Sequence, residues 1–321
     1  MTSEAAPTVA AVLEEATRRL REAGVPDPRR DAAALLALVL GTDRGGIVAK
    51  KADPIVSGDA ARFAELIAAR ARRKPLQQLE GCAEFRGLEF EVSGDVLIPR
   101  PETEDLVQAV LDAGLPDSAR VADLGTGSGC IAISLAVARP AWRIVAVDLS
   151  AAALRIATRN AAKHGVAERV DFVEADFAAP RPSWRGTFDA VVSNPPYVPH
   201  DEWVGLQPEV RDHEPRLALV PGPTGNEAYE AVARAAAEML PSGGLLALEL
   251  GWRSEEAVRG LVAREGFGDL VSRPDLQGIP RVLTARQRRP PLGRGETPSR
   301  ARRFESAAKP DSARGRPSPK E

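Results

Sequence analysis

Two short stretches hold residue types that could do chemistry. One is Asn194-Pro195-Pro196-Tyr197, directly after the apolar run FDAVVS. Proline fixes φ and has no N–H, so a strand through FDAVVS stops there and the chain beyond it is stiff. The other is VADLGTGSGC, where Gly125, Gly127 and Gly129 make a tight turn between a strand-like and a helix-like run. Glycines let the backbone approach a ligand closely, and a helix N-terminus can hold an anionic group.

The glycine turn fits neither of two common nucleotide patterns. A dinucleotide fingerprint requires glycine at position 130, where Cys130 stands, and the Gly-Lys-Ser/Thr of a phosphate loop is absent. Asp148 ends the next strand-like run, 19 residues beyond Gly129. An acid there suits the two hydroxyls of a ribose. Asp176-Phe177, at a third strand end, suits binding and stacking of an adenine. Turn, ribose acid and adenine pair together suit S-adenosylmethionine, with Asp123 beside its methionine portion. No metal-ligand cluster is visible, because the acids are dispersed over strand ends. Cys130 reads as a small packing residue, and His200 and His213 as surface or structural histidines.

The elements that must position these residues follow from periodicity. Residues 1–74 read as a small helical domain without candidate catalytic groups, expected to serve substrate recognition or support. VAAVLEEATRRLREAG ends at Gly24, PRRDAAALLALVLG at Gly41, and SGDAARFAELIAARARRK runs from Ser57 and Asp59 to just before Pro75. Residues 75–100 form a linker in which the alternation of EFRGLEFEV predicts a short β-hairpin. VLIPRPETE is expected to be a strand end that turns through Pro101 into a helix.

Residues 101–287 then alternate strand with helix. RVADLG precedes a helix at 129–138, RIVAVD one at 150–164, and VDFVEAD leads on to FDAVVSN. A helix at 226–239 precedes GLLALEL, and one at 254–265 precedes DLVSRPD and RVLTARQ. Such alternation argues for an α/β domain with a mostly parallel sheet covered by helices on both faces. In these sheets ligands bind outside the carboxyl ends of the strands, where both stretches fall.

Composition sets the remaining bounds. The chain has 321 residues, 44% hydrophobic and 27% charged, which is ordinary for a soluble globular protein. No apolar run approaches the ~20 residues that span a bilayer, and the N-terminus does not look like a signal peptide. Two cysteines, Cys82 and Cys130, suggest a reducing compartment, with the cytoplasm as the expected location. The net charge of −2 divides into +6 over residues 288–321 and −8 over the rest. That basic tail, rich in Pro, Gly, Ser and Arg, is expected to be disordered. It reads as a solvated extension, or as a weak electrostatic hold on RNA or the ribosome.

Asn-Pro-Pro-Tyr at such a strand end resembles the signature of methyltransferases that act on planar amino nitrogens: adenine N6, cytosine N4 or the glutamine amide. Over residues 10–286 the chain resembles the bacterial protein-(glutamine-N5) methyltransferases that modify peptide chain release factors. PLQQLEGCAEFRGLEF, LIPRPETE, DLGTGSG, SNPPY, EVRDHEPRLAL, ELGW and DLQGIPRV carry that resemblance. LIPRPETE discriminates most, since sister enzymes acting on a ribosomal protein look more like I-P-R-S-P there.

The resemblance implies a class I methyltransferase with a Rossmann-like, seven-stranded sheet, S-adenosylmethionine as cofactor and release factors as partners. It assigns the cofactor to Gly125, Thr126, Gly127, Ser128, Gly129, Asp148, Phe177 and Asn194, with Asp176 beside them from the reading above. It assigns the substrate amide to Asn194, Pro195, Pro196 and Tyr197. Asn194 Oδ1 and the Pro195 carbonyl would accept the two amide hydrogens, and Tyr197 would stack on the planar group. Arg100 and Glu102 are either caps or pocket lining, and Glu214 and Pro215 shape the site. A nucleic-acid amino-methyltransferase, and a non-catalytic ribosome- or RNA-binding protein on this scaffold, are the competing readings.

Overall fold

The computed structural model describes residues 6–288. Five helices lead the chain: α1 (Val9–Glu22), α2 (Pro28–Leu40), α3 (Arg44–Ala49), α4 (Ser57–Ala71) and α5 (Leu76–Glu80). Thr8 caps α1 by accepting from Ala11 N–H, and Gly41 ends α2 in the left-handed conformation. Leu20, Leu35, Leu36, Phe63 and Ile67 close a core of their own between α1, α2 and α4. Periodicity gives no sign of α3, because six residues starting Arg-Gly-Gly are too short and too poor in helix formers. Asp43 starts that turn, accepting from Gly46 N–H at 2.8 Å.

The expected hairpin is present as β1 (Cys82–Phe85) and β2 (Leu88–Glu91), paired antiparallel. The expected strand in VLIPRPETE is not. Residues 92–100 are irregular, although Val96 and Ile98 are buried against Val92, Ala153 and Ile156. Alternating burial imitates a strand there, while Pro99 and Pro101 have no N–H to give a ladder. The following helix, α6 (Thr103–Leu111), starts with Glu104 and Asp105 in its first turn, where its dipole favours acids.

The large sheet comprises β3 (Arg120–Leu124), β4 (Arg143–Asp148), β5 (Val170–Glu174), β6 (Ala190–Ser193), β7 (Leu245–Glu249), β8 (Phe267–Pro274) and β9 (Pro280–Gln287). Its order is β5-β4-β3-β6-β7-β9-β8, with β9 antiparallel to both neighbours and the other pairings parallel. The intervening helices are α7 (Cys130–Ala138), α8 (Ala151–Lys163), α9 (Pro208–His213), α10 (Glu227–Met239) and α11 (Glu255–Arg264). Side-chain alternation sorts the core into two layers. Val121, Ala146, Val192 and Ala247 face α6 and α7, whereas Leu124, Val147, Val191 and Leu248 face α10 and α11.

The expected tail at 288–321, and the RNA or ribosome contact suggested for it, fall outside the described residues except for Arg288. Among the described residues, no helix is long and apolar enough to cross a membrane.

Candidate active site

Register decides which strand ends meet. The chain leaves β3 for β4 and β5, then returns to β6 on the other side of β3, so a crevice opens between β3 and β6. Asp123 pairs with Val192, and Ser193 Oγ donates to the Leu124 carbonyl at 2.6 Å. Gly125 and Asn194, the next residue on each strand, therefore flank the crevice. On one side Leu124 pairs with Val147 and Asp148 with Glu174; on the other Ser193 pairs with Leu248. The glycine turn, Asp148, the Asp176-Phe177 pair, Asn194 and Glu249 thus stand in one row.

A cavity of about 350 Å³ opens above this row. Gly125, Gly127, Asp148, Asp176, Phe177, Asn194 and Pro196 line it, so much of the expected site converges. Asp148 holds the turn as well: its Oδ2 accepts from Gly127 N–H at 2.8 Å and its Oδ1 from Ser150 N–H at 2.9 Å. The far wall comes from the loop between the corner and α10, through Pro215, Leu217 and Val220, and Ala228 in the first turn of α10 closes it. Of these, the sequence pointed only to Pro215, because the loop has no periodicity and no recognisable chemistry.

Other expected residues stand behind the cavity. Thr126 and Ser128 are buried, and Gly129 sits at φ +83°, where a Cβ would lie 2.8 Å from Ile133 Cδ1 and 3.1 Å from Ala157 Cβ. These residues shape the turn and seat α7 against α8. Asp123, expected near the methionine portion of the donor, is wholly buried behind the glycine turn and is not part of the cavity lining. Its Oδ2 accepts from Thr126 Oγ1 and Ala132 N–H, and burial pushes its carboxyl up to about 7. The parity that turns Leu124 towards α10 turns Asp123 under α7. Cys130 is buried too, and burial pushes its thiol up to about 12, in keeping with a packing role.

At the corner, Pro195 is buried and Tyr197 lies against Gly251 so closely that a Cβ there would be 2.8 Å from Tyr197 Cδ2. Among the described residues, the Pro195 carbonyl accepts no backbone hydrogen bond. Asn194 Nδ2 donates to Thr103 Oγ1 at 3.2 Å, and Thr103 Oγ1 donates to Glu249 Oε2 at 2.5 Å. Sequence reasoning assigned no role at the site to Thr103, within LIPRPETE, or to Glu249, within ELGW. Arg100 belongs to the frame rather than the lining: its Nη2 lies 2.7 Å from both oxygens of buried Glu214. His213 is structural, with its ring nitrogen 3.2 Å from the Arg72 carbonyl, and exposed His200 lies near Arg216. No group of three or more His, Cys, Asp or Glu able to hold a metal ion occurs among the described residues.

A seven-stranded sheet of this order, with a glycine turn after its central strand and the site at the switch point, is the fold of a class I methyltransferase. The hMettl16 catalytic domain in complex with the MAT2A 3'UTR hairpin 6 has the same fold, with a TM-score of 0.50 and 16% identity over 69% of this chain and 82% of that one. Residues 11–81 match the PrmC N-terminal domain, and residues 102–205 the methyltransferase small domain. The release factor glutamine methyltransferase of Cereibacter sphaeroides is 44% identical over 274 residues, covering 85% of this chain and 96% of that protein. That of Geobacter sulfurreducens is 42% identical over 279 residues, covering 87% and 96%. The chain belongs to the release factor glutamine methyltransferase family.

Proposed function

We propose that this chain methylates the side-chain amide nitrogen of a glutamine, in the Gly-Gly-Gln loop of peptide chain release factors, with S-adenosylmethionine as methyl donor. The observation that carries this reading is the β3–β6 register, which brings the glycine turn and the Asn-Pro-Pro-Tyr corner to one cavity. Family membership supplies the substrate class.

The residues present fit the donor. Gly125 and Gly127 at positive φ leave the cavity floor free of side chains, Asp148 offers a carboxylate, and Phe177 lies beside Gly125 as a stacking face. A volume near 350 Å³ also lies in the range of small-molecule sites. When bound, S-adenosylmethionine supplies a methyl group on a sulfonium, and the sulfur keeps the bonding electron pair as the amide nitrogen takes the methyl.

The protein's own task is orientation. An amide nitrogen is a poor nucleophile because its lone pair is delocalised. Asn194 Oδ1 and the Pro195 carbonyl accept its two hydrogens and turn the nitrogen towards the donor, while the prolines hold both acceptors rigid. The face of Tyr197 supports the planar group. Once methylated, the nitrogen releases its surplus proton to water, so no general base is required. The cytoplasm, where release factors act, is the proposed location.

The test is mass spectrometry of a purified release factor, and of DNA, after incubation with the enzyme and S-adenosylmethionine. A mass increase of one methyl group on the Gly-Gly-Gln glutamine is expected. Methyl groups in DNA with none in the release factor would overturn the reading.

A further inference from the structure

The corner alone does not fix which way the Asn194 carboxamide points. Its oxygen and nitrogen differ little in size, and a turn of 180° exchanges an acceptor for a donor in the cavity. Substrate recognition requires the oxygen there.

Two residues far away in sequence settle the choice. Thr103 is the first residue of α6, and Glu249 is the last of β7. Leu245 and Ala247 face α6, so strand parity turns Glu249 to the same side. Thr103 Oγ1 lies 2.5 Å from Glu249 Oε2 and 3.2 Å from Asn194 Nδ2. Thr103 and Glu249 are only 2% and 3% exposed, so water does not compete for these bonds. A hydroxyl has one proton to give. Glu249 as a carboxylate can only accept, so Thr103 donates to it, and the threonine oxygen is left to accept from Asn194. Only the NH₂ of Asn194 can donate.

Resting on the function proposed above, we propose that Thr103 and Glu249 are positioning residues that fix the Asn194 carboxamide with its oxygen towards the substrate. Neither touches the reacting atoms; both act through Asn194. Tyr229 secures the end of the relay, since its hydroxyl donates to the Glu249 carbonyl at 3.0 Å and accepts from Gly251 N–H at 2.9 Å.

The direction of the relay depends on the charge of Glu249. Once protonated, Glu249 can donate to Thr103, which frees the threonine proton for Asn194 and allows the carboxamide to turn. Burial pushes the Glu249 carboxyl up to about 7. Charged and titratable groups face it from several sides. Glu102 reinforces the rise, and Arg281 on β9 and Arg100 oppose it. Tyr197, Tyr229 on α10 and Cys130 on α7 also face it, each raised by its own burial and, to a smaller degree, by Glu249.

The experiment compares wild type, T103V, T103S and E249Q in steady-state methylation of a purified release factor across pH, with calorimetry of S-adenosylmethionine binding and thermal melting alongside. T103V is expected to lower kcat about tenfold, the equivalent of one hydrogen bond, while S-adenosylmethionine affinity changes less than about twofold. T103S should recover most of that loss. Wild-type kcat should fall on the acid side with an apparent pKa near the Glu249 value, and E249Q should lack that limb. Wild-type kcat and pH profile in T103V and E249Q would overturn the inference. So would losses in T103V that track its melting temperature and donor affinity, since they would mean a merely structural role. Should T103V fail to fold, T103S and the E249Q pH profile still decide. If the wild-type enzyme leaves the glutamine unmodified, it is the proposed function that fails instead.

Discussion

Arg70 on α4 and Glu209 on α9 are 139 residues apart in sequence, yet their side chains meet at 2.9 Å. Arg70 also reaches Asp31 at 2.8 Å, and Arg73 approaches both Glu209 oxygens, at 2.6 and 2.7 Å. Gln78 Nε2 adds a bond to the His213 carbonyl at 2.9 Å. The leading helices are therefore tied by mostly buried charge to the segment that follows the Asn-Pro-Pro-Tyr corner. Burial pushes Glu209 up, and the guanidiniums of Arg73 and Arg70 outweigh it, so the carboxyl stays below its ordinary range.

Removing Glu209 should loosen that tie. Arg70 keeps Asp31, but the half-buried Arg73 loses its charged partner, and E209A is expected to destabilise the fold by about 1.5–3 kcal/mol. If the leading helices recognise the substrate, KM for the release factor should rise more than kcat falls. Thermal melts and steady-state kinetics check both; an unchanged melting temperature would mean that the pairs contribute nothing.

Asn194→Ala removes the acceptor itself. Turnover is expected to fall on the order of 10²–10³. Affinity for S-adenosylmethionine, measured by calorimetry, should move only a few-fold. Wild-type turnover in N194A would refute the assignment of Asn194 to the acceptor amide.

At Gly129, an alanine meets Ile133 and Ala157 and adds strain at φ +83°. G129A should cost about 1–3 kcal/mol by overpacking and shift the turn that lines the cavity. The expected readout is a lower melting temperature together with weaker S-adenosylmethionine binding. Loss of stability with full affinity would separate the turn from the site.

Glu249 should make stability depend on pH in a definite direction. Its folded value of about 7 lies above the ordinary 4.5, so its contribution is complete below about 4.5 and is lost as pH rises through about 7. E249Q is neutral throughout. Its stability relative to wild type should therefore grow across that window, towards a difference on the order of 3 kcal/mol. Melting curves of both proteins from about pH 5 to about pH 8 test this, and a constant difference would refute it.

A chain ending after Arg288 retains every contact described above, including the bond from Arg288 N–H to the Gly266 carbonyl that follows β9. Deleting residues 289–321 should leave the melting temperature and turnover on a purified release factor nearly unchanged. A large loss of turnover would make the tail part of the enzyme.

Much of this molecule is legible in one dimension. Strand and helix periods along residues 120–287 give the α/β alternation, because burial on one face leaves a local imprint on each element. The glycine turn and the Asn-Pro-Pro-Tyr corner are also local: positive φ and missing N–H groups belong to the residues themselves. VLIPRPETE shows where local evidence misleads, since the buried Val96 and Ile98 alternate like a strand while the neighbouring prolines prevent one.

What the tertiary structure alone decided is which ends are neighbours. The return of the chain across β3 puts Asn194 beside Gly125, and register with parity puts Glu249 under Thr103, 146 residues away. Arg70 finds Glu209 in the same way. Such pairs depend on long-range hydrogen-bonded register and on which face a helix covers. Neither residue of a pair carries a local trace of the other, so only the folded chain shows that Asn194 is held as well as present.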